Sequence, residues 1–249
     1  MTRAQSDTIG FVLVFSLVVL TVGTVYAAGY PALVEYRSQE QLQNMERAFV
    51  VLDGNLDDMA REGAPSRATE IKLNGGTLSV NGTTTVTVNA VDNSTEEDVT
   101  VTSAATPIAY TRGDTTVVAV HGAVVRRDGD AAVMRRGPGW VFDDDRAVIS
   151  LVSVGRSGSR AAFGGTTTVV VRGNVVGRSV PGGLRSADGA DIRVNVTVSS
   201  PRAGAWKRYF ESRGLTPVDA AAADGTVTYQ YVAESVLIQQ TTVAVQLDR

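Results

Sequence analysis

The apolar positions of this chain follow three successive rhythms. Between Ile9 and Ala28 they run without a single charge, IGFVLVFSLVVLTVGTVYAA, a stretch whose roughly twenty residues at about 1.5 Å each match a hydrocarbon core about 30 Å thick. From there to Met59 they recur every three or four residues, at Leu42, Met45, Phe49, Leu52, Leu56 and Met59, with Glu40, Gln43, Glu46, Arg47, Asp53 and Asp57 in between. That spacing predicts an amphipathic helix with one apolar stripe, to be buried against the protein's own next domain or against neighbouring copies. Pro31 should kink the helix, and Gly63-Ala64-Pro65 should end it.

Beyond Ala68 the rhythm becomes that of strands. Short Val- and Thr-rich runs extend over 70–74, 77–80, 83–91, 99–103, 115–127, 131–135, 148–154, 166–172, 174–180, 192–199, 226–233 and 236–247. Turn residues separate them, among them Gly75-Gly76, Asn81-Gly82, Asp128-Gly129-Asp130 and Pro181-Gly182-Gly183. About a dozen strands so closely punctuated predict a mainly β fold, an antiparallel, sandwich-like body behind a long N-terminal helix. Residues 204–213 are the exception: Trp206, Tyr209 and Phe210 there suit the face of a short helix packed on a sheet. The expected organisation is a short leader over 1–8, a transmembrane and stalk helix over 9–62, and a β-rich domain over 66–249.

The start of the chain decides how the apolar run is used. Twelve of its positions are Leu, Ile, Phe or Val, which together favour membrane insertion by about 4–7 kcal/mol before Gly, Ser and Thr subtract a little. Ahead of it stands MTRAQSDTIG, with Arg3, the small Ala4 and then Gln5, Ser6 and Asp7. Cleavage between Ala4 and Gln5 would remove the basic tip and keep the apolar helix. This arrangement resembles the class III signal of archaeal type IV pilins and archaellins, which a prepilin peptidase processes. Bacterial pilins carry Glu at the fifth mature position; here Ile9 stands there, with an acid at the third, Asp7. The alternative is an ordinary secretory signal cut near Val25-Tyr26-Ala27. The strings VVRRDGDAAVMRRGPGW (124–140) and WKRYFESRG (206–214) also resemble haloarchaeal surface proteins of unknown function that share a pilin-like start.

The resemblance implies a membrane-anchored archaeal cell-surface structural protein, a minor pilin-like subunit with other subunits, a lipid bilayer and the peptidase as partners. A membrane-tethered binding module of the envelope that never polymerises is the alternative. Arg3 places the N-terminus in the cytoplasm and the β-rich domain outside.

Composition narrows the chemistry. The 249 residues carry 26 acidic and 23 basic side chains, a net charge of −3, one histidine and no cysteine. That leaves no electrostatic footprint for nucleic acid, no disulfide or zinc-thiolate site, and no pair of imidazoles. Only Lys72 and Lys207 among the basic residues are lysines, a bias that suits a GC-rich, salt-adapted source. No enzymatic activity and no cofactor are expected.

Three sequons, at Asn81, Asn93 and Asn195, are candidate glycosylation sites if the body is exported, Asn93 in its polar loop the strongest. Asp143-Asp144-Asp145 suggests calcium, but no ligand loop surrounds it and a solvated turn is preferred. His121 has no catalytic partner in view. The glycine-rich 156–165 lacks the Lys-Ser/Thr ending of a phosphate loop and reads as a loop. Arg126-Arg127 and Arg135-Arg136 flank one hairpin; an exposed ladder edge with nearby acids is preferred there over a basic patch.

Overall fold

A computed structural model describes residues 2–143, 145–186, 192–222 and 224–249, with side chains from Thr8 onward. Among the described residues there are two helices and sixteen strands. Helix α1 runs Thr2–Arg61, unbroken through Pro31. The strands are β1 Ser66–Lys72, β2 Gly76–Val80, β3 Thr84–Asp92, β4 Asp98–Ala105, β5 Ile108–Arg112, β6 Thr115–Val120, β7 Ala123–Asp128 and β8 Ala131–Arg136. They continue with β9 Val141–Asp143, β10 Arg146–Arg156, β11 Ala162–Gly165, β12 Thr168–Arg185, β13 Ile192–Ser199, β14 Thr216–Asp219, β15 Thr226–Ala233 and β16 Ser235–Asp248. Helix α2, Ala203–Ser212, lies between β13 and β14.

The chain divides into two units, Met1–Asn44 and Met45–Arg249. The first is helical. The second contains the last part of α1 and three sheets, with strand orders β1-β12-β16-β10-β9, β11-β2-β5-β6-β7-β8 and β14-β15-β13-β3-β4. The pairing is antiparallel except between β10 and β16, which run parallel from Arg146↔Ser235 to Arg156↔Val245.

Alternation of side chains explains the main core. Val86, Val88 and Ala90 on β3, and Ile192, Val194, Val196 and Val198 on β13, all point to one face and are buried there with Ile149 and Leu151 of β10. The aromatic face expected over 204–213 is α2. Trp206 and Phe210 are buried, and Trp206 stacks on Trp140 with ring centroids 5.6 Å apart. The Trp140 indole donates to the Ser150 carbonyl at 2.9 Å, so its polar edge is satisfied inside the core.

Three sequence expectations are corrected. The run 115–127 is two strands, because His121 (φ 50°) and Gly122 (φ 75°) form the tight turn between β6 and β7. Pro181-Gly182-Gly183 is no turn but lies inside β12, at a register shift between Ser179 and Gly182. Strand β1 pairs with β12 only as far as Asn174, so the segment with Pro181 has a free edge on that side, where a residue lacking an N–H is tolerated. The glycine-rich 156–165, read as a loop, contributes β11, which pairs with β2.

Candidate functional site

Within the first unit, every large apolar side chain from Ile9 to Tyr36 is 48–69% exposed. This helix is long and apolar enough to cross a membrane. Its polar side chains are compatible with a surrounding that offers no water. The Thr21 hydroxyl donates to the Leu17 carbonyl at 2.7 Å, and that of Thr24 to Leu20 at 2.8 Å. Tyr26 and Tyr30 stack with centroids 5.5 Å apart, at the end of the uncharged run, where rings with a polar tip suit a membrane interface.

In the second unit the same helix changes partners. Met45, Phe49, Leu52, Leu56 and Met59 are each at most 3% exposed. Five such side chains, at about 1.5–3 kcal/mol each, hold this part of α1 on the sheets. Gly173 of β12 makes room for the stripe's end: a Cβ there would lie 2.8 Å from Met59 Cε and 3.1 Å from Val243 Cγ1. Over Met45–Met59 the stripe has its cover within the unit. The protein's own β-body covers it.

Ion pairs flank the stripe, and they correct the reading of the paired arginines as an exposed ladder edge for three of the four: Arg126, Arg135 and Arg136 reach acids of the helix, while Arg127 stays on the edge beside Asp130. Glu46, 7% exposed, accepts from Arg126 at 2.5 Å and from Arg135 at 2.6 Å, drawing β7 and β8 onto the helix. About two and three turns further on, Arg136 approaches Asp53 at 3.2 Å and Asp57 at 3.5 Å. Asp53 is 1% exposed, and neither of its carboxylate oxygens accepts a hydrogen bond. Burial pushes its carboxyl up to about 7, against the pull of the Arg136 guanidinium. At the helix end, Arg178 of β12 donates to the Met59 carbonyl at 2.9 Å and to the Ala64 carbonyl at 3.0 Å. A cation at this terminus satisfies orphan carbonyls and complements the helix dipole. Sequence spacing shows the acids on the helix but not their partners, which are distant in the chain.

The other sequence candidates are scattered. Ala4 and Gln5 lie outside the residues whose side chains are described. Asn81 and Asn93 are exposed, whereas Asn195 sits half-buried in mid-strand on β13, where it accepts from Gln230 at 3.2 Å. Asp144 lies outside the described residues. Asp143 is 3.7 Å from Arg146, and the Asp145 carbonyl accepts the N–H groups of Glu234 and Ser235. His121 is 1% exposed; its Nε2–H donates to the Thr84 carbonyl at 3.2 Å, while Nδ1 has no partner. Burial holds its pKa down at about 4, so it is a neutral core residue near neutral pH.

With this geometry in hand, comparison with known proteins gives one family. Residues 3–246 match a family of unknown function, DUF7289, and the chain belongs to it. No curated protein matches. Among solved structures, the ywiB protein from Bacillus subtilis is similar over 69% of this chain and 95% of that one, at 6% identity and a TM-score of 0.15, which supports no inference about fold or function.

Proposed function

We propose that this member of the family is a single-pass, membrane-anchored structural protein of an archaeal cell surface. Residues 9–28 lie in the bilayer, Arg3 faces the cytoplasm, and the β-body stands outside. The observation that carries this reading is the change of surroundings along one unbroken helix. Its first part exposes apolar side chains on all faces, and its last part is fully engaged by the β-body. An apolar surface of that extent needs lipid or protein around it. Membrane flotation of the full chain tests this: the reading requires that it resist alkaline and high-salt extraction.

A second reading, a minor pilin-like subunit, is supported by the continuity of anchor and docking stripe on the same helix. Because the β-body occupies Met45–Met59, subunits would pack through Ile9–Tyr36 and not through the stripe assigned from sequence. Comparing extracellular filaments from cells with and without the gene distinguishes a subunit from a tether that leaves filaments unchanged. The exposed Asn81 and Asn93 are the better glycan acceptors; Asn195, engaged within its sheet, is the poorer one.

A further inference from the structure

Outside the helix seam, one pocket gathers three arginines against a single carboxylate among the described residues. It has a volume of about 480 Å³ and lies between the β7–β8 turn and the segment entering α2. Arg127, Arg202 and Arg208 line it, together with the backbone of Ala131 to Val133. The anionic group in its lining, Asp130, is fully exposed and reaches Arg127 at 3.9 Å.

Each guanidinium is placed differently. Arg127 donates through Nε to the Gly129 carbonyl at 2.6 Å, which fixes its head at the rim. Arg208 donates to the Ala132 carbonyl. Arg202 is the exceptional one. Its Nε is sealed from water and meets no acceptor, and among the described residues no carboxylate lies within ion-pair distance of its side chain. Burial, and after it the like charge of Arg127, lowers the pKa of Arg202.

Arg202 is partly buried with its Nε sealed from water, and a charge so placed costs free energy unless a counter-charge stands beside it. We propose that this pocket is an oxyanion site, taking a phosphate, sulfate or carboxylate group between the terminal nitrogens of Arg127, Arg202 and Arg208. Guanidinium forks donate two parallel N–H groups to such oxygens. The site stands independently of the membrane reading.

The test is calorimetric titration of the full chain in neutral detergent micelles with inorganic phosphate, sulfate and acetate, at constant ionic strength. Saturable one-to-one binding is expected, with Arg202→Gln weakening it about tenfold or more, as loss of a charge-assisted hydrogen bond demands. Arg127→Ala, at a partly exposed rim position, should weaken it as well and guards against a folding defect at position 202. Arg185→Ala, away from the pocket, should leave it unchanged. In micelles doped with phosphatidylglycerol, an unchanged phosphate isotherm assigns the site to soluble oxyanions, and a suppressed one to lipid headgroups; both support it. Absence of saturable binding to the native chain, or native affinity in both Arg202→Gln and Arg127→Ala, overturns it.

Discussion

Asp53 on the helix lies 3.2 Å from the Arg136 guanidinium of β8, yet neither of its oxygens accepts a hydrogen bond. The pair has the distance of a salt bridge without the alignment, so burial outweighs attraction and the carboxyl titrates at about 7 instead of 3.8. The folded state therefore holds this proton more tightly than the unfolded one. Its contribution to stability is full below about pH 4 and is lost as the pH rises to about 7. Asp53→Asn should raise stability at pH 8 by on the order of 1–3 kcal/mol and change little at pH 4. Urea unfolding of the full chain in micelles at both pH values checks this.

His121 acts in the opposite direction. Its pKa is about 4 in the fold against an ordinary 6.5, so its stabilising contribution is full above 6.5 and is lost as the pH falls toward 4. In the native chain the two trends oppose each other between about pH 4 and 6.5. His121→Asn, which tolerates the positive φ of the turn, should remove the acid-side loss and uncover the Asp53 slope. An unaltered pH profile in that variant would show that His121 does not titrate as a buried neutral base.

Glu46 ties two neighbouring strands to the helix through two arginines. Glu46→Ala leaves Arg126 and Arg135 without their shared acceptor, and about 2–4 kcal/mol of stability should go with it. The triple replacement of Glu46, Arg126 and Arg135 by Met should lose much less, because the one charge left without its partner, Asp128, is half exposed to water. Denaturant midpoints of the two variants decide it: equal losses would mean that the network supplies more attraction than its burial costs.

Arg178 should matter more modestly. Its two acceptors are carbonyls at the end of α1, and Arg178→Ala should cost about 1 kcal/mol. Hydrogen exchange should locate the loss in the last turn, near Met59, with the first unit unaffected.

The sequence made some of this legible. The stripe from Leu42 to Met59 was readable because a helix repeats every 3.6 residues and its buried face leaves that period in the chain. Strands β3 and β13 were readable because their alternating Val and Thr encode a sheet with one buried face. Strands β5, β9, β11 and β14 were not, since each has three to five residues and draws its stability from neighbours. The same holds for the extension of β12 through Pro181, which only the missing partner on one edge permits. The partners of Glu46 lie 80 and 89 residues away, and no local pattern carries that information. The pocket at Arg202 is equally nonlocal, assembled from a hairpin turn and a helix start.

The anchor admits a graded test. Each Arg placed in the middle of the apolar run costs about 3–4 kcal/mol of insertion, counting the Val it replaces, against a gross gain of about 4–7. Val18→Arg should leave a divided population, and Val14→Arg with Val18→Arg together should abolish membrane association. Flotation of the variants reads this directly.

The central claim is that the apolar helix stays on the mature protein and holds it in a membrane or an assembly. The most direct measurement is the N-terminal residue of protein isolated from cells, combined with its fractionation. Membrane- or filament-bound protein beginning at Gln5, or at the intact start, is the expected result. A freely diffusing protein beginning near Ala28 would contradict it.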